Sequence, residues 1–208
     1  MKDLLIFPYS GTGIEALDCL GEEWNCIGFI SDDKSSVGNS FCGVEIFDRS
    51  AFEKFPEAKV LAIHGSPLSF KMRPKIMAEL NLEERRYARV IHPKASIGKK
   101  VTLGKNVLIM AGVVITANAN IGNHVVVLPN TVIHHDAVIK DFTLIAANCT
   151  LAGSVVIAAN CYIGASSSIK NGVSLNERTL VGIGANVILT AEEPEIVLVG
   201  NPAKRMKQ

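Results

Sequence analysis

An excess of charge is missing from this sequence: 21 basic against 20 acidic side chains leave a net charge of +1, so no electrostatic field marks nucleic acid or a membrane surface as a partner. Long apolar runs are missing too. The opening stretch, Met1-Lys2-Asp3-Leu4-Leu5-Ile6-Phe7-Pro8, is too short in its apolar part for a signal peptide or a membrane span. Paired cysteines are the third absence. Cys19, Cys26, Cys42, Cys149 and Cys161 show neither disulfide nor metal-ligand spacing, which leads to the expectation of a reduced, cytoplasmic protein without a metal. A chain of 208 residues suits one or two domains and can bury a real core.

What is present is a repeat. From Ile91 to Val187 every sixth residue is Ile, Leu or Val, without a slip. Four residues after each comes a small or β-branched residue, such as Val101, Val107, Val113, Ala119, Cys149, Cys161 and Ser167. Numbering each hexad from its aliphatic residue, positions five and one are two apart and share one side of a short strand, while positions six and two share the other. Positions three and four must therefore turn the chain. Position four holds Asn106, Gly112, Asn118, Asn130, Asn148, Asn160, Gly172 and Gly184, residues that enter the left-handed backbone region cheaply. Three corners close a triangular coil, and stacked coils bury an aliphatic column that no single repeat could bury alone. A parallel β-helix over 91–208 is the expectation, with Cys149 and Cys161 as inward filler.

Folding the hexads three to a turn collects Leu108, Met110, Val126, Leu128, Leu144, Ala146, Tyr162 and Leu180 on one outward face without a charge. An apolar outer face must be covered, and no later segment is long enough to cover it, so a subunit interface and a homo-oligomer are expected.

Residues 1–90 read as a separate α/β unit. Leu4–Phe7 is a short apolar run, followed by a turn through Ser10, Gly11, Thr12 and Gly13 and by Ile14, Leu17 and Leu20 at helical spacing. Further runs end in Ser31-Asp32-Asp33 and in His64-Gly65-Ser66. Strands alternating with helices predict a small Rossmann-like parallel sheet whose ligands sit at the carboxyl ends of its strands. Ser10 to Gly13 could offer free N–H groups to a phosphate or sugar hydroxyl, although the GxGxxG spacing is absent and a tight turn needing Gly reads equally well. Asp32 and Asp33 could meet a ribose or a base edge, or could be ordinary turn residues. Glu83-Glu84-Arg85-Arg86 reads as a solvated face, and His92 as a cap residue at the handover.

In the coils, Val132-Ile133-His134-His135-Asp136-Ala137 stands out. Asp136 sits at position four, where Asp substitutes for Asn. His135 sits at position three and must point outward, so burial does not explain it.

The Ser-Gly-x-Gly turn, the Asp-Asp pair, the Ile-His-Pro handover at 91–93, the unbroken hexads, the Val-Ile-x-His-Asp corner and the closing Val199-Gly200-Asn201-Pro202-Ala203-Lys204 together resemble the bacterial nucleotide-amino-sugar N-acetyltransferases. That group sits beside the sialic-acid O-acetyltransferase-like proteins and includes the bacillosamine-pathway enzyme. The resemblance implies a left-handed β-helix, a homotrimer, acetyl-CoA held between neighbouring β-helices, and a nucleotide-linked, commonly UDP-linked, amino sugar on the N-terminal unit. It implies that His135 is the general base and Asp136 its orienting acid, that Gly153 presents its backbone N–H to the thioester carbonyl, and that Ser10–Gly13, Asp32 and Asp33 bind the sugar nucleotide. Three positions depart from the pattern: Pro8 replaces a turn glycine, Leu144 replaces a second histidine, and His134 replaces a residue that is often acidic. An imidazole suits proton removal from an attacking amine near neutral pH. O-acetylation of a sugar is the alternative within the same fold. A metal enzyme resembling the γ-class carbonic anhydrases ranks below both, because His124, His134 and His135 occupy hexad positions four, two and three and lack that family's spacing.

Overall fold

The computed structural model describes residues 1–206. Four strands in the N-terminal part run parallel: β1 (Lys2–Phe7), β2 (Trp24–Ile30), β4 (Val44–Phe47) and β5 (Lys59–Ala62). The short β3 (Ser40–Phe41) adds antiparallel to β4, and the sheet order is β3-β4-β2-β1-β5. Side chains alternate across β1 as a sheet requires. Leu4 and Ile6 join one buried cluster with Phe29, Ile46 and Leu61, while Leu5 and Phe7 join another with Phe52 and Met77. The second cluster is roofed by α2 (Ala51–Lys54) and α3 (Arg73–Glu79). The helix expected after the first turn is split into α1 (Gly11–Glu15) and a 3₁₀ turn at Ala16–Cys19.

From β6 (Arg89–Ile91) onward the chain winds through three parallel sheets. Each strand pairs with one a full coil away, for example Val114 with Val132, Val132 with Thr150 and Thr150 with Ser168. The aliphatic column lies inside: Ile109, Ile115, Ile133, Ile145, Leu151, Ile157 and Ile163 are all fully buried, with Cys149 and Cys161 among them. The column is not uniformly covered. Ile91 and Ile97, in the first coil, have no coil beneath them and remain 38% and 36% exposed. The last coil pairs Leu180 with Val197 rather than keeping the earlier spacing, and an antiparallel strand at Lys204–Arg205 comes after it.

From Lys100 to Gly184 the corners hold position four in the left-handed region. The residues there include Asn118, Asp136 and Asn148, and also Phe142 and Arg178, with φ of 62° and 57°. The stacked backbone thus imposes the turn even where the side chain opposes it.

The apolar outer face is covered from within the chain, which corrects the subunit-interface reading. Leu108, Met110, Val126 and Leu144 pack with Leu4, Ile6, Phe29 and Leu61 in a single cluster, and Tyr162 lies against Phe70. The covering segment precedes the repeat in sequence, so the shortness of the C-terminal tail does not leave the face bare. Two polar devices fasten the join. Asn106, fully buried, exchanges two hydrogen bonds with the Ala62 backbone at the end of β5: it accepts from the N–H at 2.8 Å and donates to the C=O at 2.6 Å. Arg73, also fully buried, donates to the carbonyls of His64, His124 and Phe142. A buried guanidinium is tolerable only when its donors are spent in this way. Arg86 is a further correction: it is buried and donates to the carbonyls of Phe52, Phe55 and Ala58, so only part of the 83–86 run is solvated.

Candidate functional site

His135 and Asp136 turn the chain between the strands Val132–Ile133 and Val138–Ile139. This corner is the prism edge opposite the face covered by the N-terminal sheet. His135 Nδ1 and Asp136 Oδ2 are 2.7 Å apart, and Asn118, one coil below, donates its Nδ2 to Asp136 Oδ1 at 2.6 Å. The Asn118 bond first, and His135 second, hold the Asp136 carboxyl below its usual range. An ionised carboxylate only accepts, so Nδ1 must be the donor and the lone pair is left on Nε2. Both side chains reach solvent, at 58% and 48% exposure.

Gly153 lies one coil above. A Cβ on it would stand 2.6 Å from both Nε2 and Cε1 of His135, so the imidazole rests against the glycine and any side chain would push it away. The Gly153 N–H is already engaged: it donates to Asn171 Oδ1 at 3.0 Å.

The other residues singled out by sequence gather at the carboxyl end of the N-terminal sheet. The loops after β1 and β2 are laced together, Tyr9 N–H donating to the Ile30 carbonyl at 2.7 Å. Ser10 caps α1 by accepting from the Gly13 N–H at 3.2 Å, which removes one donor from the cradle that the turn could offer. Gly13 is sterically required, since a Cβ there would collide with the Pro8 carbonyl oxygen. Gly11 is open and exposed, and Thr12 is half-buried. Asp33 is spent locally on the Ser35 N–H and hydroxyl. Asp32 makes a two-pronged ion pair with Arg49, at 2.6 and 2.8 Å, beside a cleft that Lys34 and Asp48 also line. Sequence reasoning missed Arg49. Val44–Phe47 followed by Asp48-Arg49-Ser50 repeats the pattern of strand then polar turn that marked Asp32, but the run was not read as a strand.

One chain does not bring these two groups together, because the sheet packs on one face of the prism and His135 lies on the opposite edge. Among the described residues no three His, Cys, Asp or Glu side chains gather where they could hold a metal ion, and no helix is long and apolar enough to cross a membrane.

Residues 87–195 match the family described as the GMPPB C-terminal domain. The chain belongs to the GMPPB C-terminal domain family. The match spans the stacked coils of this family member and its His135 corner. Similar solved structures extend over the N-terminal sheet as well. The acetyltransferase domain of PglB from Neisseria gonorrhoeae FA1090 superposes with a TM-score of 0.86 at 19% identity, over 99% of this chain and 100% of that one. A point mutant of perosamine N-acetyltransferase from Caulobacter crescentus, in complex with CoA and GDP-perosamine, gives 0.85 at 22% identity, over 100% and 98%. WeeI from Acinetobacter baumannii AYE gives 0.68 at 20% identity, over 99% and 100%. At these identities the likeness shows a common fold. No curated protein matches the chain.

Proposed function

We propose that the protein transfers an acetyl group from acetyl-CoA to the amino group of a nucleotide-linked amino sugar. The observation that carries this reading is the half-exposed His135–Asp136 pair, with Nδ1 committed to the carboxylate and Nε2 beside Gly153. The fold likeness to chains that hold CoA with GDP-perosamine, or acetyl coenzyme A, supports it. In this reading the β-helix is left-handed, residues 1–90 form a Rossmann-like nucleotide-binding unit, and 91–208 form the acyltransferase unit.

The chemistry follows from the geometry. As the amine nitrogen bonds to the thioester carbon, His135 Nε2 takes the proton that the nitrogen sheds. Asp136 steadies the resulting imidazolium, which then returns the proton to the departing sulfur. Oxyanion charge on the carbonyl would be met by the Gly153 N–H, for which Asn171 must turn away, a rotation open to an exposed side chain. Ser10–Gly13, Asp32, Asp33 and Arg49 would hold the sugar nucleotide. Because one chain keeps that site away from its own His135, the working centre needs the His135 edge of one chain to meet another copy, as a cyclic trimer allows.

The test is acetyl transfer from acetyl-CoA to UDP-linked and GDP-linked amino sugars, with a His135→Ala variant beside the parent. Loss of the base is expected to lower kcat by roughly 10²- to 10⁴-fold, with the unfolding midpoint unchanged. Undiminished transfer by the variant removes His135 from the reaction.

A further inference from the structure

The Asp136 carboxylate serves two partners, one with each oxygen: Oδ2 meets His135 Nδ1 at 2.7 Å, and Oδ1 takes the Asn118 Nδ2 bond at 2.6 Å. Asn118 occupies the same corner position one coil below, and both residues have left-handed backbones, with φ of 64° and 58°. The last torsion of Asp is soft and roughly two-fold, so pinning one oxygen decides where the other points. This matters because the His135–Asp136 pair is about half exposed. An exposed ion pair is weak, so on its own it would leave a sizeable part of the population unpaired.

We propose that Asn118 is a positioning residue: by holding Asp136 Oδ1 it keeps Oδ2 on His135 Nδ1, and so keeps the His135 Nε2 lone pair turned outward. The proposal rests on the reading of His135 as the base. Corner asparagines elsewhere in the coils have other duties. Asn106 ties down the Ala62 backbone and Asn160 donates to the Lys71 carbonyl. Asn118 is the one whose amide meets a carboxylate that in turn meets an imidazole.

Its competing explanation is backbone alone, since Asn enters the left-handed region cheaply. Asn118→Gly separates the two, because glycine satisfies that backbone at no steric cost and removes only the amide. Two readouts are taken on the full-length protein: steady-state acetyl transfer, and the imidazole ¹⁵N–¹H correlation spectrum, which reports whether Nδ1 or Nε2 carries the proton. Asn118→Gly is expected to keep the parent's unfolding midpoint and both KM values within about twofold, to lose about threefold to tenfold in kcat, and to gain an Nε2–H tautomer signal at His135. Unchanged kcat and an unchanged tautomer overturn the proposal, and so does a fall in kcat without a tautomer change. If the parent shows no acetyl transfer, the functional reading fails, and the tautomer spectrum alone decides the role of Asn118.

Discussion

The face carrying Leu108, Met110, Val126 and Leu144 and the edge carrying His135 and Asp136 are cut from the same hexads, yet they have opposite fates. On the face, outward side chains are apolar and sealed beneath the N-terminal sheet. At the edge, outward side chains are polar, paired with one another and open to solvent. The repeat sets the direction of each side chain but not what meets it. In the proposed function the reactive group lies on the edge away from the covered face, so that edge can be altered without loosening the join.

The sharpest way to break this contrast is Arg73→Leu. It keeps much of the volume but leaves the His64, His124 and Phe142 carbonyls without their donor. Unfolding free energy from urea titration is expected to fall by about 3–5 kcal/mol, with the His135 tautomer unmoved. A change below about 1 kcal/mol would show that the join is not held by this clamp.

Gly153→Ala makes the complementary cut. Its backbone lies outside the left-handed region and tolerates alanine, but the new Cβ would fall 2.6 Å from the His135 ring. Displacing the ring is expected to lower kcat by about tenfold or more while the unfolding midpoint barely shifts; an equal loss of stability would mean that the edge also carries the scaffold.

The smallest effect is one of pH on the covered side. His124 is half-buried there: its Nδ1 accepts from Asn106 Nδ2 at 2.9 Å and its ring stacks on Phe142. Burial first, and Arg73 second, push its pKa down to about 4 from 6.5. The unfolded chain therefore binds the proton more readily. Its contribution is complete above about pH 6.5 and is lost as pH falls from there towards about 4, by at most about 2 kcal/mol after allowance for solvent screening. Comparing stability against pH for the parent and His124→Gln should show a flatter acid limb in the variant, and superimposable curves would rule the contribution out.

Much of the coil was legible because its period constrains every residue at once. The aliphatic step from Ile91 and the turn residues at position four predicted the strands, their stacking and the burial of Cys149 and Cys161. Exposure of Ile91 and Ile97 was not legible, since a period does not say where the stack begins to be covered. The covering of the Leu108–Leu144 face was misjudged because hexad arithmetic treats each segment alone, whereas burial depends on segments far apart in sequence, such as β1 and Val126. At the edge, His135 stood out because burial does not explain an outward corner histidine, whereas Asp136 fits the corner rule and its role was implied only by the family resemblance. Asn118 was not, because it also satisfies the backbone rule that governs its position, and only the bond to Asp136 Oδ1 reveals a second duty.

The antiparallel strand at Lys204–Arg205 pairs with Val199 and Leu198 on the outermost rung. A parallel coil ends in an unsatisfied template, open in principle to the next copy. Reversing the chain direction there gives this sheet an edge that differs from the parallel rungs below it, with Lys204 on it and Arg205 paired with Glu193. In this sheet the last rung does not offer the parallel pattern by which the earlier rungs stack.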